Sequence, residues 1–267
     1  MNVKGKRVLV TGATGGIGRH IASELARQDA IVTLVGRNIE ALNQLKETLM
    51  TTTSAEVHAI SADISSSSDH QQLLANVRKT MGGVDLLINN AGVVDFHDFS
   101  QQDPAMIEQI YQTNLIAPVQ LTRELLPDMI QQGHGRIVNI GSTFGSIGFA
   151  YFAAYSSSKF ALRGFSESLR RELNGTGVGI SYIAPRAVKT NANSQAVYEM
   201  AKATNMQMDS PEEIASFVMQ CIQKDKDLAY YGWPEKLFVR INALFPKLVD
   251  GALRKQNQIM ARFAPKS

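Results

Sequence analysis

Arg7-Val8-Leu9-Val10-Thr11-Gly12-Ala13-Thr14-Gly15-Gly16-Ile17-Gly18 decides the fold. Residues 7–10, one arginine and three aliphatics, read as a short buried strand. A glycine-rich loop follows. Beyond it Ile21, Ala22, Leu25 and Ala26 recur at the spacing of one helix face. Strand, glycine loop and helix in that order form the phosphate-binding turn of a dinucleotide fold. Gly12 permits the tight turn, Gly16 lets the main chain approach a pyrophosphate, and Gly18 lets the helix pack closely on the strand. The anion meets the unpaired N–H groups and positive end of the helix.

The rest of the chain alternates in the same way. Strands are expected at 30–35, 57–61, 85–89, 136–140, 178–183 and 228–231. Helices are expected at 39–49 and 69–80, at 104–132 as one helix or a pair, and at 151–174. Ser210-Pro211-Glu212-Glu213 is a helix start, with serine as cap, proline in the first turn and glutamate at the box position. This pattern predicts an α/β fold: a Rossmann-type, doubly wound, mostly parallel sheet with helices on both faces. Residues 1–234 form that dinucleotide-binding and catalytic domain, and 235–267 a basic amphipathic helical extension of it.

Composition agrees. A chain of 267 residues, 44% hydrophobic and 19% charged, suits one soluble globular domain. The single cysteine, Cys221, excludes an intramolecular disulfide and reads as a small core residue, and the five histidines lack metal-ligand spacing. No apolar run reaches the roughly 18 residues needed to span a bilayer. The N-terminus enters the first strand within a few residues and shows no signal peptide, so a cytoplasmic protein is expected.

Tyr155-Ser156-Ser157-Ser158-Lys159 places a phenol and an ammonium one helical turn apart. The ammonium is expected to stabilise the phenolate and bring the phenol below its usual pKa of about 10. Upstream stand Asp63, then Asn89-Asn90-Ala91-Gly92, then Asn114 and Ser142. With these motifs in this order the chain resembles the short-chain dehydrogenase/reductase family, in its single-domain branch with the Thr-Gly-x-x-x-Gly-x-Gly loop. The resemblance runs over roughly residues 4–232.

That resemblance implies hydride transfer between a nicotinamide and a carbonyl or alcohol. Tyr155 is then the proton donor or acceptor, Lys159 lowers its pKa and holds the nicotinamide ribose, and Ser142 hydrogen-bonds the substrate oxygen. Asn114 holds a water linking Lys159 to solvent. The implied cofactor-binding set takes in Gly12, Thr14, Gly16, Ile17, Gly18, Asp63 and Ile64 beside the adenine, and Asn90, Ala91 and Gly92. Pro185, Val188 and Thr190 complete it with Tyr155 and Lys159. Arg37 also belongs to it. The second strand ends Leu34-Val35-Gly36-Arg37, with glycine where the family carries its acidic residue and a guanidinium after it. That pair favours a 2′-phosphate, hence NADP(H) over NAD(H). Gly15 departs from the second basic residue that many NADP-using relatives carry.

Two further departures stand out. Ala184-Pro185-Arg186-Ala187 carries Arg186 in place of the family's glycine, either facing solvent or binding a substrate anion. From residue 235 onward there are seven Lys or Arg and two Asp or Glu, a net charge of +5, whereas the preceding 234 residues carry −2. Leu237, Phe238, Ile241, Leu244, Phe245, Leu248, Val249, Ala252 and Leu253 follow a helical spacing, with Pro246 dividing two helices. This segment reads as a cover over the substrate cleft or a dimer contact. It also reads as an amphipathic helix making peripheral contact with an anionic membrane.

The expected substrate pocket comprises Ser142, Phe144, Phe149, Tyr151 and Tyr155, with Phe152, Tyr198, Met200, Met206 and Met208 in the same segments. Such a lining suits an apolar or lipid-like ketone, aldehyde or acyl group, or else a lid packed on itself. The main alternative to an NADP(H)-dependent carbonyl reductase is a non-catalytic nucleotide-binding sensor or scaffold. A nucleotide-sugar epimerase of the extended branch is disfavoured by the glycine spacing and the lack of a substantial C-terminal substrate domain. No basic patch with interleaved aromatics points to nucleic acid. The resemblance implies a homodimer or homotetramer.

Overall fold

The computed structural model describes residues 1–265, leaving aside the side chain of Ser67. Seven strands form one parallel sheet. They are β1 (Arg7–Thr11), β2 (Ile31–Gly36), β3 (Val57–Ser61), β4 (Leu86–Asn89), β5 (Gly135–Ile140), β6 (Val178–Ala184) and β7 (Leu228–Tyr230). Their order is β3-β2-β1-β4-β5-β6-β7. The order reverses between β1 and β4, and ligands bind such sheets beyond the strand ends at that point.

The continuous aliphatic runs are buried on both sides, as parallel strands require. Val8 and Val10 of β1 join one core with Leu86 and Ile88 of β4, while Leu9 and Leu87 join the opposite core. Against the first face pack α1 (Gly16–Arg27), α2 (Ile39–Thr52) and α8 (Pro211–Gln223). Against the second pack α3 (Ser67–Met81), α5 (Ala117–Gln132) and α6 (Ala153–Glu172). Cys221 is buried in the first core. The expected start of α8 is present in full: Ser210 and Glu213 cap each other's main-chain N–H groups, and Pro211 opens the helix.

The expected helix over 104–132 is α4 (Pro104–Tyr111) and α5 joined by a π-turn, Gln112–Ile116. Pro118 has no N–H for the Asn114 carbonyl four residues back, so the α-ladder cannot run unbroken there. Helix α6 starts at Ala153, two residues later than expected, because Tyr151 sits at a φ of 65°. Helix α7 (Gln195–Ala203) was not separated from the pocket segment in sequence; Ser194 caps it.

The extension forms α9 (Glu235–Leu244) and α10 (Pro246–Met260), divided at Pro246 as expected. Its apolar stripe does not behave as a single buried face. Val239 and Val249 are buried with Ile147, and Ile241 and Leu253 pack around them. Met260 and Ala264 join a cluster with Phe96 and Phe152. Leu237, Phe238, Leu244, Phe245 and Leu248 instead face solvent.

Candidate active site

The carboxyl ends of β1, β4, β5 and β6 open into one cleft of about 580 Å³. At its phosphate end the glycine loop is held closely. Gly12 has a φ of +63°, and a Cβ there would come within 2.8 Å of the Ala91 main chain. A Cβ at Gly16 would lie 2.6 Å from the Thr190 side chain, and one at Gly18 would strike the Gly12 carbonyl. No side chain caps α1 and no acidic residue occupies its first turn. The N-terminal amides of this helix are therefore left for an anion. Asn90 fixes the switch point: its amide donates to the Thr11 and Gly12 carbonyls at 3.0 and 3.1 Å.

Most expected cofactor residues line this cleft. Gly12, Thr14, Gly16, Ile17 and Arg37 lie along one side, with Asp63 and Ile64 nearby. Asn90, Ala91 and Gly92 continue it, and Pro185, Val188 and Thr190 form the opposite rim. Gly18 sits behind the loop, fully packed. Arg37 is exposed at the mouth, and together with the Ser65 contacts its charge holds Asp63 below the usual carboxylate range. A Cβ on Gly36 would make only ordinary contacts, 3.6 Å to Thr14 Oγ1 and 3.7 Å to Leu42.

Beyond this end lie Ser142, Tyr155 and Lys159. Ser142 follows β5 and does two things: its Oγ accepts from the Phe144 N–H at 3.1 Å and hydrogen-bonds the Tyr155 hydroxyl. Lys159, one turn along α6, is only 5% exposed. Its Nζ donates to the Ile140 carbonyl at 3.0 Å and lies 5.9 Å from the centre of the Tyr155 ring. Burial lowers the ammonium to about 8, since no carboxylate compensates the lost hydration. The expectation for Tyr155 is corrected: burial raises its phenol above the ordinary value, and only the Ser142 hydrogen bond opposes that shift. The ammonium is turned toward the end of β5, so desolvation dominates for both groups.

Asn114 is fully buried in the π-turn beneath the site. Its amide is engaged with the protein: Oδ1 accepts from the Val93 N–H at 2.8 Å, and Nδ2 donates to the Val93 carbonyl at 2.8 Å and to Ser158 Oγ at 3.1 Å. The solvent-facing reading of Arg186 is corrected. It borders the cleft but is mostly withdrawn from solvent, and its charge is already engaged by carboxylates of the protein. Its guanidinium pairs with both oxygens of buried Asp209, reaches Glu235 at 3.3 Å and lies over the Tyr231 ring. The clamp ties the loop after β6 to the segment before α8 and to the start of α9.

The expected substrate pocket is partly redistributed. Ser142, Phe144 and Tyr155 line the cleft, joined by Phe152, Met200 and Met206. Phe149 stacks on Phe144 with ring centres 4.2 Å apart, and Tyr151 packs edge-on against Phe96, so both back the wall. Tyr198 and Met208 line a separate depression beside α7. Three contributors escaped sequence reading. Val94 and Val197 line the cleft. Tyr182 of β6 is fully buried, and its hydroxyl accepts from the Ser142 N–H at 3.2 Å and lies 3.1 and 3.2 Å from the Ser142 and Lys159 carbonyls. The signal for Tyr182 was a phenol inside an aliphatic strand, a residue whose hydroxyl needs a partner when buried.

The family model described as short chain dehydrogenase matches residues 6–202. The chain belongs to this family. Among short-chain dehydrogenases, a ketoacyl reductase, HetN, of Nostoc sp. is 36% identical over 257 residues, covering 94% of this chain and 88% of its own. A short-chain dehydrogenase from Sphingobium yanoikuyae, solved in complex with NADPH, is 27% identical with a TM-score of 0.78 and covers 94% of each chain. One from Burkholderia phymatum shares the fold at a TM-score of 0.84, with 23% identity and coverage of 93% of this chain and 96% of its own.

Proposed function

We propose that this short-chain dehydrogenase is an NADP(H)-preferring reductase of apolar carbonyl compounds. The observation that carries the reading is the Ser142–Tyr155 hydroxyl pair with buried Lys159 behind it, at the floor of a cleft walled by Phe144, Phe152, Val197, Met200 and Met206. A nicotinamide dinucleotide fits the opposite end, where glycines leave room for a pyrophosphate and the amides of α1 carry no cap. When bound, that cofactor supplies the hydride for reduction or takes it up in the reverse direction.

The chain's own groups manage the proton. A phenol raised by burial is protonated at neutral pH, so Tyr155 stands ready as an acid toward a substrate oxygen. Ser142 donates to the same oxygen and supports negative charge developing there. Lys159, cationic below about pH 8, offsets the phenolate left on Tyr155 after transfer. Asn114 acts as a positioning residue, fixing the Val93 main chain and Ser158 of α6 around this group.

The preference for NADP(H) rests on Arg37 at the cleft mouth and on the absence of a carboxylate at Gly36. The NADPH complex of the Sphingobium relative is consistent with it. An apolar substrate rests on the aromatic and methionine walls, and a ketoacyl reductase among the relatives points the same way. The test is oxidation of NADPH and NADH against small polar ketones, quinones, long-chain aldehydes and β-ketoacyl thioesters. NADPH-selective turnover of the long-chain members supports the reading. Turnover confined to small polar carbonyls, or selectivity for NADH, contradicts it.

A further inference from the structure

Helices α9 and α10 carry apolar residues on two sides. Val239, Ile241, Val249 and Leu253 close onto Ile147 and Phe149, so the inward side is already satisfied. The outward side is not. Trp233 is 71% exposed, Leu244 72%, Leu248 66% and Phe245 58%, with Leu237 and Phe238 also exposed. Leu237 and Leu244, like Phe238 and Phe245, stand seven residues apart, two turns along one stripe of α9 and its end. Leu248 continues the apolar surface in the first turn of α10.

Positive charge predominates around this surface, with exposed Asp250 the exception. Lys236, Arg240, Lys247, Arg254, Lys255 and Arg262 are exposed, and none has an ion-pair partner among the described residues. Glu235, one of the two acidic residues of the extension, is already held by Arg186. A second copy docking by the same face would bring one +5 segment against another, at a cost in repulsion. An anionic surface that also takes up apolar side chains matches both properties. No helix among the described residues is long and apolar enough to cross a membrane.

We propose that the α9–α10 corner, centred on Leu244, Phe245 and Leu248, seats the protein on the surface of an anionic lipid bilayer. The apolar tips enter the headgroup boundary and the flanking lysines and arginines face the acidic headgroups. The far end of α10 packs behind the cleft: Met260, with Ala264 just beyond it, shares one cluster with Phe144 and Tyr155. The proposal does not depend on the oxidoreductase reading, because its readout needs no turnover.

The test is sedimentation of the full chain with vesicles of phosphatidylcholine alone and of phosphatidylcholine mixed with phosphatidylglycerol. Binding is expected to the mixed vesicles and to be released by raised salt. L244S/L248S should weaken it about tenfold, and K247E/K255E should weaken it on mixed vesicles by at least as much. Thermal unfolding of both variants should match that of the unaltered chain. Failure to bind either vesicle overturns the proposal, as does undiminished binding by the variants. Dissociation of an oligomer by L244S/L248S also overturns it, since the face would then be a subunit contact.

Discussion

Lys159 Nζ donates to the main-chain carbonyl of Ile140 across 3.0 Å, so the ammonium is anchored to the end of β5. Burial without a carboxylate brings it to about 8, while an unfolded lysine titrates near 10.4. Below about pH 8 both states hold the proton, and the folded state bears the whole cost of burying the charge. Between about 8 and 10.4 the unfolded chain binds more protons, so stability rises with pH. Relative to K159M, the cofactor-free protein should gain about 3 kcal/mol across that window. Denaturant titrations of both proteins at pH 7 and 10 check this, and a constant difference contradicts it.

Tyr182 joins the two halves of the site through one hydroxyl. Y182F leaves the Ser142 N–H without its acceptor in a buried place, at a cost of about 1–3 kcal/mol. If Tyr182 positions Ser142 and Lys159, turnover should fall well beyond the loss in folded fraction while cofactor affinity holds. Thermal unfolding, kinetics and cofactor titration on the same preparation separate the two effects.

Arg186 occupies a position where the family resemblance leads one to expect glycine, and it has become a strut. R186G would strand the buried Asp209 carboxylate and free Glu235, costing about 3 kcal/mol. R186K should recover only part of this, because an ammonium cannot match the two-pronged contact. Chemical denaturation of the two variants is the check; an R186G protein as stable as the original removes the strut.

How far the sequence could be read follows from where the determinants lie. The strand–loop–helix opening and the Tyr155–Lys159 pair are local patterns, so both the sheet and the reacting residues were legible. What escaped depends on contacts across the fold. Tyr182 meets Ser142 across 40 residues and Arg186 meets Glu235 across 49. The phenol of Tyr155 went the opposite way from expectation because side-chain spacing tells which groups are near but not how dry the site is. The stripe of the extension showed amphipathic periodicity, yet which part faces inward is set by Ile147 and Phe149, distant in sequence.

Cofactor selectivity can be tested from both sides. R37A should weaken NADPH about tenfold or more and leave NADH nearly unchanged, since only the former carries the 2′-phosphate. G36D makes only ordinary contacts at its Cβ and should shift preference toward NADH. Equal losses for both cofactors in R37A contradict the phosphate contact. Fluorescence titration with each cofactor gives the comparison.

The central claim is that the Tyr155 hydroxyl transfers the proton. Y155F keeps the ring packed beside Phe144 and removes only that hydroxyl. Turnover of a carbonyl substrate with NADPH should fall at least about a hundredfold, the scale of general-acid catalysis, while NADPH affinity stays close to that of the unaltered chain. Turnover preserved within a few-fold would contradict the account.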